Sequence, residues 1–270
     1  MIIGTRGSEL ALKQVSIFIN KFKLKDCAIK IIKTKGDITK KSLQKIGTAI
    51  FTKELDKALL NKKIDLAVHS LKDIPAEGFN TKLEIAAIVE RADPRDCVIG
   101  NIFNGSVVGT DSIRRQYELK NYYKHIKLNF KPIRGNIPTR IKKLENKEYD
   151  AIIAAKAALD RLKIKEGQVF SIKQMVPAAG QGAIAVVKRK KDKFSFLKKD
   201  GLYDCCMLER EFIKDLGGCK KPVGAYCSYK NKKFNLIGLV YKKDKRILIN
   251  FLGNKEEITD KIKKWKAKYT

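Results

Sequence analysis

The stretch Ile2-Ile3-Gly4-Thr5-Arg6-Gly7-Ser8-Glu9-Leu10-Ala11-Leu12 decides the fold class. Its first four residues read as a short buried strand. From Glu9 onward the period changes: Leu10, Leu12, Val15, Phe18, Ile19 and Phe22 supply the apolar positions of an amphipathic helix. Ser8 stands where a helix N-cap belongs. A strand that passes through a tight turn into such a helix is the unit of an α/β protein.

The chain repeats this unit. Strands are expected at Ala28–Ile32, Leu66–Ser70, Leu83–Val89, Val107–Gly109, Ile126–Phe130 and Ala151–Ala154. Helices are expected at Thr52–Lys62, Ile113–Tyr122 and Pro138–Glu145. The polar, proline-bearing run Glu90-Arg91-Ala92-Asp93-Pro94-Arg95-Asp96 separates two α/β halves and reads as a hinge. Pro177 to Gly182 is a loop of small residues leading into the apolar run Ala183–Val187, and Lys188 to Lys193 reads as a basic linker. Beyond Asp200 the pattern gives a helix (Tyr203–Lys214), three strands near Gly224–Tyr229, Phe234–Tyr241 and Ile247–Leu252, and a closing helix.

With 270 residues, 44% of them hydrophobic, the chain can fill two or three modest cores. No apolar run approaches the roughly 20 residues that span a bilayer. The N-terminus lacks a basic leader followed by a long apolar stretch, so a cytoplasmic protein, not a membrane one, is expected. Six cysteines show no CxxC spacing and the histidines are His69 and His125 alone, so no metal site is expected.

The formal charge is +30, from 59 Lys+Arg against 29 Asp+Glu. Such a balance raises nucleic-acid binding as a reading. Its distribution argues otherwise. The lysines are spread along the chain, no nucleic-acid motif is present, and no tract interleaves basic with aromatic residues. Of the 11 arginines, eight lie between Arg6 and Arg161.

Three of the strand-to-helix turns carry arginine: Thr5-Arg6-Gly7-Ser8, Gly109-Thr110-Asp111-Ser112-Ile113-Arg114-Arg115, and Arg134-Gly135-Asn136-Ile137-Pro138-Thr139-Arg140. A helix N-terminus already holds unpaired N–H groups and partial positive charge, so arginine there is unfavourable until an anion binds. One such turn is an ordinary capped helix with surface charges. Three of them, with five of the eleven arginines, point to a polyanionic ligand held between two α/β halves. The pattern does not separate phosphate from carboxylate, although a Walker-type loop and a GxGxxG turn are both missing.

Two further points carry chemistry. In His69-Ser70-Leu71-Lys72-Asp73, Asp73 closes a strand at a position facing a crevice; it fits either a turn cap or a carboxylate that steadies a developing cation. His69 reads as structural. Gly217-Gly218-Cys219 sets a thiol on a glycine turn beside Lys220 and Lys221, whose charge favours thiolate; a capping turn with an incidental cysteine fits equally.

In this order, the segments Thr5–Ser8 with Leu10-Ala11-Leu12, Thr34-Lys35-Gly36-Asp37, Phe51-Thr52-Lys53-Glu54-Leu55, His69–Asp73, Asp93–Asp96, Gly109–Gln116, Arg134-Gly135-Asn136 with Thr139-Arg140, Pro177–Ala183 and Gly217-Gly218-Cys219 resemble the porphobilinogen deaminase (hydroxymethylbilane synthase) family. They cover about the first 225 residues and are specific jointly, not singly. The resemblance implies two domains similar to type II periplasmic binding proteins and a third, smaller α+β domain. The divisions expected are 1–90 plus 178–190, 91–177, and 191–270. It implies a dipyrromethane cofactor joined to Cys219 by a thioether, with porphobilinogen as substrate and a monomeric enzyme. Asp73 matches the family's catalytic acid. Lys72, Ser112, Arg114, Arg115 and Arg140 match positions that hold cofactor acetate and propionate groups. Arg6, Ser8, Arg134 and Arg161 match positions for substrate binding and chain elongation. Thr48 stands where the family often has lysine, and Lys35 where arginine is usual. A non-catalytic solute-binding module of the same build is the alternative; it predicts no covalent adduct.

Overall fold

The structure is a computed structural model that describes residues 1–34, 48–165, 167–217 and 221–269. Strand β1 (Ile2–Thr5) leads into helix α1 (Glu9–Phe22), and Ser8 caps it by accepting from the Ala11 N–H at 3.3 Å. Strand β2 (Ala28–Ile31), helix α2 (Lys53–Leu60), strand β3 (Leu66–Ser70) and strand β4 (Leu83–Arg91) follow. Strand β5 (Asp96–Gly100), strand β6 (Val107–Gly109), helix α3 (Ile113–Tyr122), strand β7 (Asn129–Lys131), helix α4 (Ile137–Glu145), strand β8 (Ala151–Ala155), helix α5 (Lys156–Arg161) and strand β9 (Gln168–Val169) make the second half. Strand β10 (Ala183–Arg189) precedes helix α6 (Gly201–Ile213), strands β11 (Gly224–Lys230), β12 (Lys233–Lys242) and β13 (Lys245–Gly253), and helix α7 (Lys255–Tyr269).

The first sheet has the order β2-β1-β3-β10-β4 and the second β7-β6-β8-β5-β9. In both, the first three strands are parallel and the fourth runs antiparallel to its neighbours. That fourth strand comes from across the hinge in each case: β5 follows β4 of the first sheet, and β10 follows β9 of the second. The two crossings touch where the Ala92 N–H donates to the Gly182 carbonyl at 3.1 Å. This α/β pair with a third layer is the fold class expected. Strand β10 is buried at every residue because both of its faces are covered. Ile184 and Val186 meet Val15 and Phe18 of α1, whereas Ala185 and Val187 meet Leu55 and Leu59 of α2 and Cys206 of α6.

The third layer is an antiparallel meander, β11-β12-β13, under α6 and α7. Its two hairpin turns, Asn231-Lys232 and Lys243-Asp244, have φ of 51° and 60°, and 47° and 62°, the positive pair that a tight twisted hairpin requires. Gly238 is needed for contact: a Cβ there would lie 2.3 Å from the Phe212 ring. Phe212 in turn stacks on Trp265 at 5.4 Å.

Several boundaries differ from the sequence reading. The hinge is narrower than Glu90–Asp96, because β4 runs to Arg91 and β5 starts at Asp96. Strand β7 starts at Asn129 since the Ile126 N–H closes a turn on Tyr123. Strand β5, helix α5 and strand β9 were not expected; α5 has six residues and no side-chain cap. Lys188 and Arg189 do not belong to a linker. They end β10 and are buried, with Lys188 donating to the Asp192 carbonyl at 2.6 Å and Arg189 to the Leu59 and Ile64 carbonyls at 2.6 and 2.8 Å. Backbone carbonyls and the carboxylates of Glu84 and Asp192 replace the water those cations give up. No helix among the described residues is long and apolar enough to cross a membrane.

Candidate active site

A cleft of about 1030 Å³ opens between the two lobes at the carboxyl ends of the parallel strands, and residues from the third layer close one side. From the first lobe it is lined by Arg6, Ser8, Phe51, His69, Lys72 and Asp73, and from the second by Ser112, Arg114, Arg115, Arg134 and Arg140. Nine of the residues expected to act at the site are therefore brought together. Cys219 lies outside the described residues, as do Lys35 and the side chain of Thr48; Lys221 and Val223, just beyond Cys219, line the same cleft. Arg161 is the one not brought there. Its Nη2 donates to Glu90 at 3.0 Å and to the Gly182 carbonyl at 2.8 Å, which ties α5 to the hinge.

Local sequence places each group. Lys72 and Asp73 sit on a 3-10 turn, Leu71–Asp73, that ends β3 at the cleft. Ser112 caps α3 by accepting from the Arg115 N–H at 3.4 Å, so both arginines fall in the first turn. Gly135, at φ 110°, approaches Thr139 so closely that a Cβ would lie 2.7 Å from its methyl group. Asn136 caps α4, and Arg140 Nε donates back to the Gly135 carbonyl at 2.9 Å. Arg6 lies over the Phe51 ring, 4.3 Å from its centroid.

Arg114 and Arg115 are not free forks. Arg115 donates from Nε and Nη2 to one oxygen of Asp96 at 3.1 and 2.7 Å, and from Nη1 to the Ile153 carbonyl at 3.0 Å. Arg114 donates from Nη1 to the Val176 carbonyl at 2.6 Å and pairs with the other Asp96 oxygen at 2.8 Å. Gln181 Nε2 also donates to Asp96, at 2.9 Å. Burial alone would raise the Asp96 carboxyl, but Arg114 and Arg115 outweigh it and hold the group far below the usual carboxylate range. One carboxylate balances two guanidinium groups, so this cluster presents a net positive charge to the cleft. Sequence reading placed Asp96, Gln181 and Phe51 within family-like segments but gave them no role at the site. The available signal was an acid opening the apolar run Cys97-Val98-Ile99, where a buried charge needs partners.

The remaining cations crowd one another. Burial, with the repulsion of Arg115 and Arg140 adding to it, pushes Lys72 down to about 8 against the opposing pull of Asp73. Burial and then Arg115 and Arg134 push Arg140 down to about 10. Burial, aided by Arg6, lowers His69 to about 4 and keeps it neutral at pH 7.

Fold and site define a two-lobed α/β protein whose interdomain cleft gathers cations from both lobes, with Glu9, Asp73 and Asp111 as acids in its lining. The family described as Porphobilinogen deaminase, dipyromethane cofactor binding domain, matches residues 1–196, and Porphobilinogen deaminase, C-terminal domain, matches residues 203–264. The chain belongs to the porphobilinogen deaminase family, transferases of tetrapyrrole synthesis, and contains that family's dipyrromethane cofactor binding domain. A porphobilinogen deaminase of Helicobacter acinonychis (strain Sheeba) is 46% identical over 259 residues, 87% of this chain and 83% of its own. One from Alkaliphilus metalliredigens (strain QYMF) is 39% identical over 286 residues, covering 98% of this chain and 88% of its own. Among solved structures, substrate binding domain 2 of Lactococcus lactis GlnP aligns over 73% of this chain and 83% of its own, with a TM-score of 0.39 and 8% identity.

The donor set fits such a cofactor. Lys72 and Arg140, each depressed by burial and by neighbouring cations, would be relieved by anionic groups, and acetate and propionate arms are such groups. The apolar lining from Leu10, Phe51 and Val223 suits pyrrole rings.

Proposed function

We propose that this cleft condenses four porphobilinogen molecules head to tail, with loss of ammonia, onto a dipyrromethane primer held as a thioether on Cys219, and that hydrolysis then releases hydroxymethylbilane. The observation that carries the reading is the convergence of Arg6, Arg134, Arg140 and Lys72 from two lobes on the turn that bears Asp73. Lys221 and Val223 in the same lining support a thiol at position 219 within reach.

When bound, the dipyrromethane supplies the unsubstituted pyrrole carbon that acts as nucleophile. Asp73 is the catalytic residue. Its carboxylate accepts from pyrrole N–H groups, opposes the positive charge that develops as ammonia leaves with the C–N electron pair, and takes up the proton released after the C–C bond forms. Lys72, Ser112, Arg114, Arg115 and Arg140 hold cofactor carboxylates; Arg114 and Arg115 do so with the charge that Asp96 leaves unbalanced. Arg6, Ser8, Arg134 and Arg161 serve incoming substrate and the growing chain. For Arg161 this role is exerted from the hinge, through Glu90 and the Gly182 carbonyl.

The domain division of 1–90 plus 178–190, 91–177 and 191–270 is supported by the sheet to which each strand belongs. A cytoplasmic monomer acting on a small molecule, with no nucleic-acid or membrane partner, suits the diffuse lysine surface.

Intact-mass measurement tests the reading. The purified protein should carry an adduct of two linked pyrrole rings that disappears in Cys219→Ser, and Asp73→Asn should retain the fold while losing nearly all turnover. An active preparation of unmodified mass would overturn it.

A further inference from the structure

Helix α6 precedes Cys219 in the chain, and two of its consecutive residues, Glu209 and Arg210, have partners outside the third layer. Glu209 accepts from the Gly180 N–H and the Cys227 N–H, each at 2.7 Å, and pairs with Arg91 at the hinge. Arg210 reaches the other way. Its Nη1 donates to the Ile74 carbonyl and its Nη2 to the Pro75 carbonyl, both at 2.8 Å, across more than 130 residues of sequence. These are the first two carbonyls after Asp73. The pairing is costly in isolation, because no carboxylate among the described residues lies within ion-pair distance of Arg210, and a buried cation without one must be satisfied by oriented dipoles.

A second tether runs beside the first. Glu77, just past the same turn, accepts from the Asp215 N–H at 2.7 Å, four residues before Cys219. The segment that follows the acid is thus stitched to the segment that precedes the attachment thiol. Arg210 itself is not part of the cleft lining.

We propose that Arg210 is a positioning residue for the condensation: it fixes the turn bearing Asp73 relative to the arm that carries the primer, and acts on the reaction through that turn without touching substrate. This rests on the assignments of Asp73 and Cys219 made above. Holding a reacting group in register is worth a great deal, since a displacement near 1 Å can cost about 100-fold in rate.

Two variants in fully loaded holoenzyme test it. Arg210→Met keeps the side-chain bulk and removes both donations; Arg210→Lys keeps the charge and one donor centre. Arg210→Met should show the wild-type adduct mass, a KM for porphobilinogen within about 2-fold, and a kcat lowered about 10- to 100-fold. Arg210→Lys should recover part of that loss. A kcat per loaded, folded molecule within about 2-fold of wild type in Arg210→Met would overturn the proposal whatever its melting temperature. So would a KM that rises as much as kcat falls, since that marks substrate binding. Should Arg210→Met fail to fold, the same split in Arg210→Lys decides. A wild-type protein without an adduct would instead overturn the assignment of Cys219, an outcome read before either variant is made.

Discussion

Arg115 directs two of its nitrogens, Nε and Nη2, at a single oxygen of Asp96, at 3.1 and 2.7 Å, and both side chains are withdrawn from water. The pair joins the first residue of β5, at the hinge, to the first turn of α3, at the cleft. An arginine expected to be a free fork for ligand carboxylates is thus already anchored, and the anchor aims it.

Asp96→Asn should therefore be a damaging isosteric change. It keeps the shape but leaves Arg114 and Arg115 buried without a counter-charge. Breaking one partner of a buried pair costs about 3–5 kcal/mol. Urea denaturation should show that loss, and cofactor loading should fall with it because neither guanidinium is held in place. A midpoint unchanged from wild type would remove Asp96 from this role.

The charge on Lys72 sets a pH dependence. Because its value lies at about 8, the ammonium is present below that pH and is lost above it. Anion binding to cofactor-free protein should weaken as pH rises from 7 to 9 by up to about 10-fold, the fall in the protonated fraction of a group that titrates at about 8. Loading rates measured across that range should decline in the wild type and stay level in Lys72→Arg. Parallel profiles for the two proteins would contradict the assignment.

His69 makes a stability prediction of opposite kind. Its value is lowered from 6.5 to about 4 in the fold, so the unfolded chain takes up the proton more readily. The contribution of the neutral imidazole is complete above pH 6.5 and is lost as pH falls towards 4, to the extent of about 3 kcal/mol. Asp56, raised to about 6 by burial, acts the other way in the same window. The His69→Gln variant should isolate the first effect: its denaturation midpoint should fall less than that of wild type between pH 6.5 and 4.5. Equal slopes would mean that His69 titrates normally.

Glu118 connects the second lobe to the third layer. It accepts from Arg246 Nε and Nη2 at 2.7 and 2.9 Å, from the Tyr241 hydroxyl at 2.7 Å and from the Val176 N–H at 2.9 Å. The single tryptophan, Trp265, lies in the third layer's core and reports on it alone. In Glu118→Gln, unfolding followed by Trp265 fluorescence should separate from unfolding followed by far-UV circular dichroism, whereas the wild-type curves coincide. Coincident curves in the variant would show that Glu118 does not couple the layers.

Much of this protein is legible along the chain because it is decided by near neighbours. A serine or asparagine cap, a change of apolar period and a glycine of positive φ act within a few residues, which is why α1, α3, α4 and their arginine turns can be read from residues 5–8, 109–115 and 134–140. The family resemblance and its motifs are likewise properties of local strings. What only the tertiary structure decided are the long-range pairings: Asp96 with Arg114 and Arg115, Glu209 with Arg91 and Gly180, Arg210 with Ile74 and Pro75, and Lys188 and Arg189 as strand ends, not linker. The reason is physical. A buried charge is satisfied by whichever dipole or counter-charge the fold brings within about 3 Å, and for these residues that partner stands tens to more than a hundred positions away, or on a carbonyl that no side-chain pattern encodes.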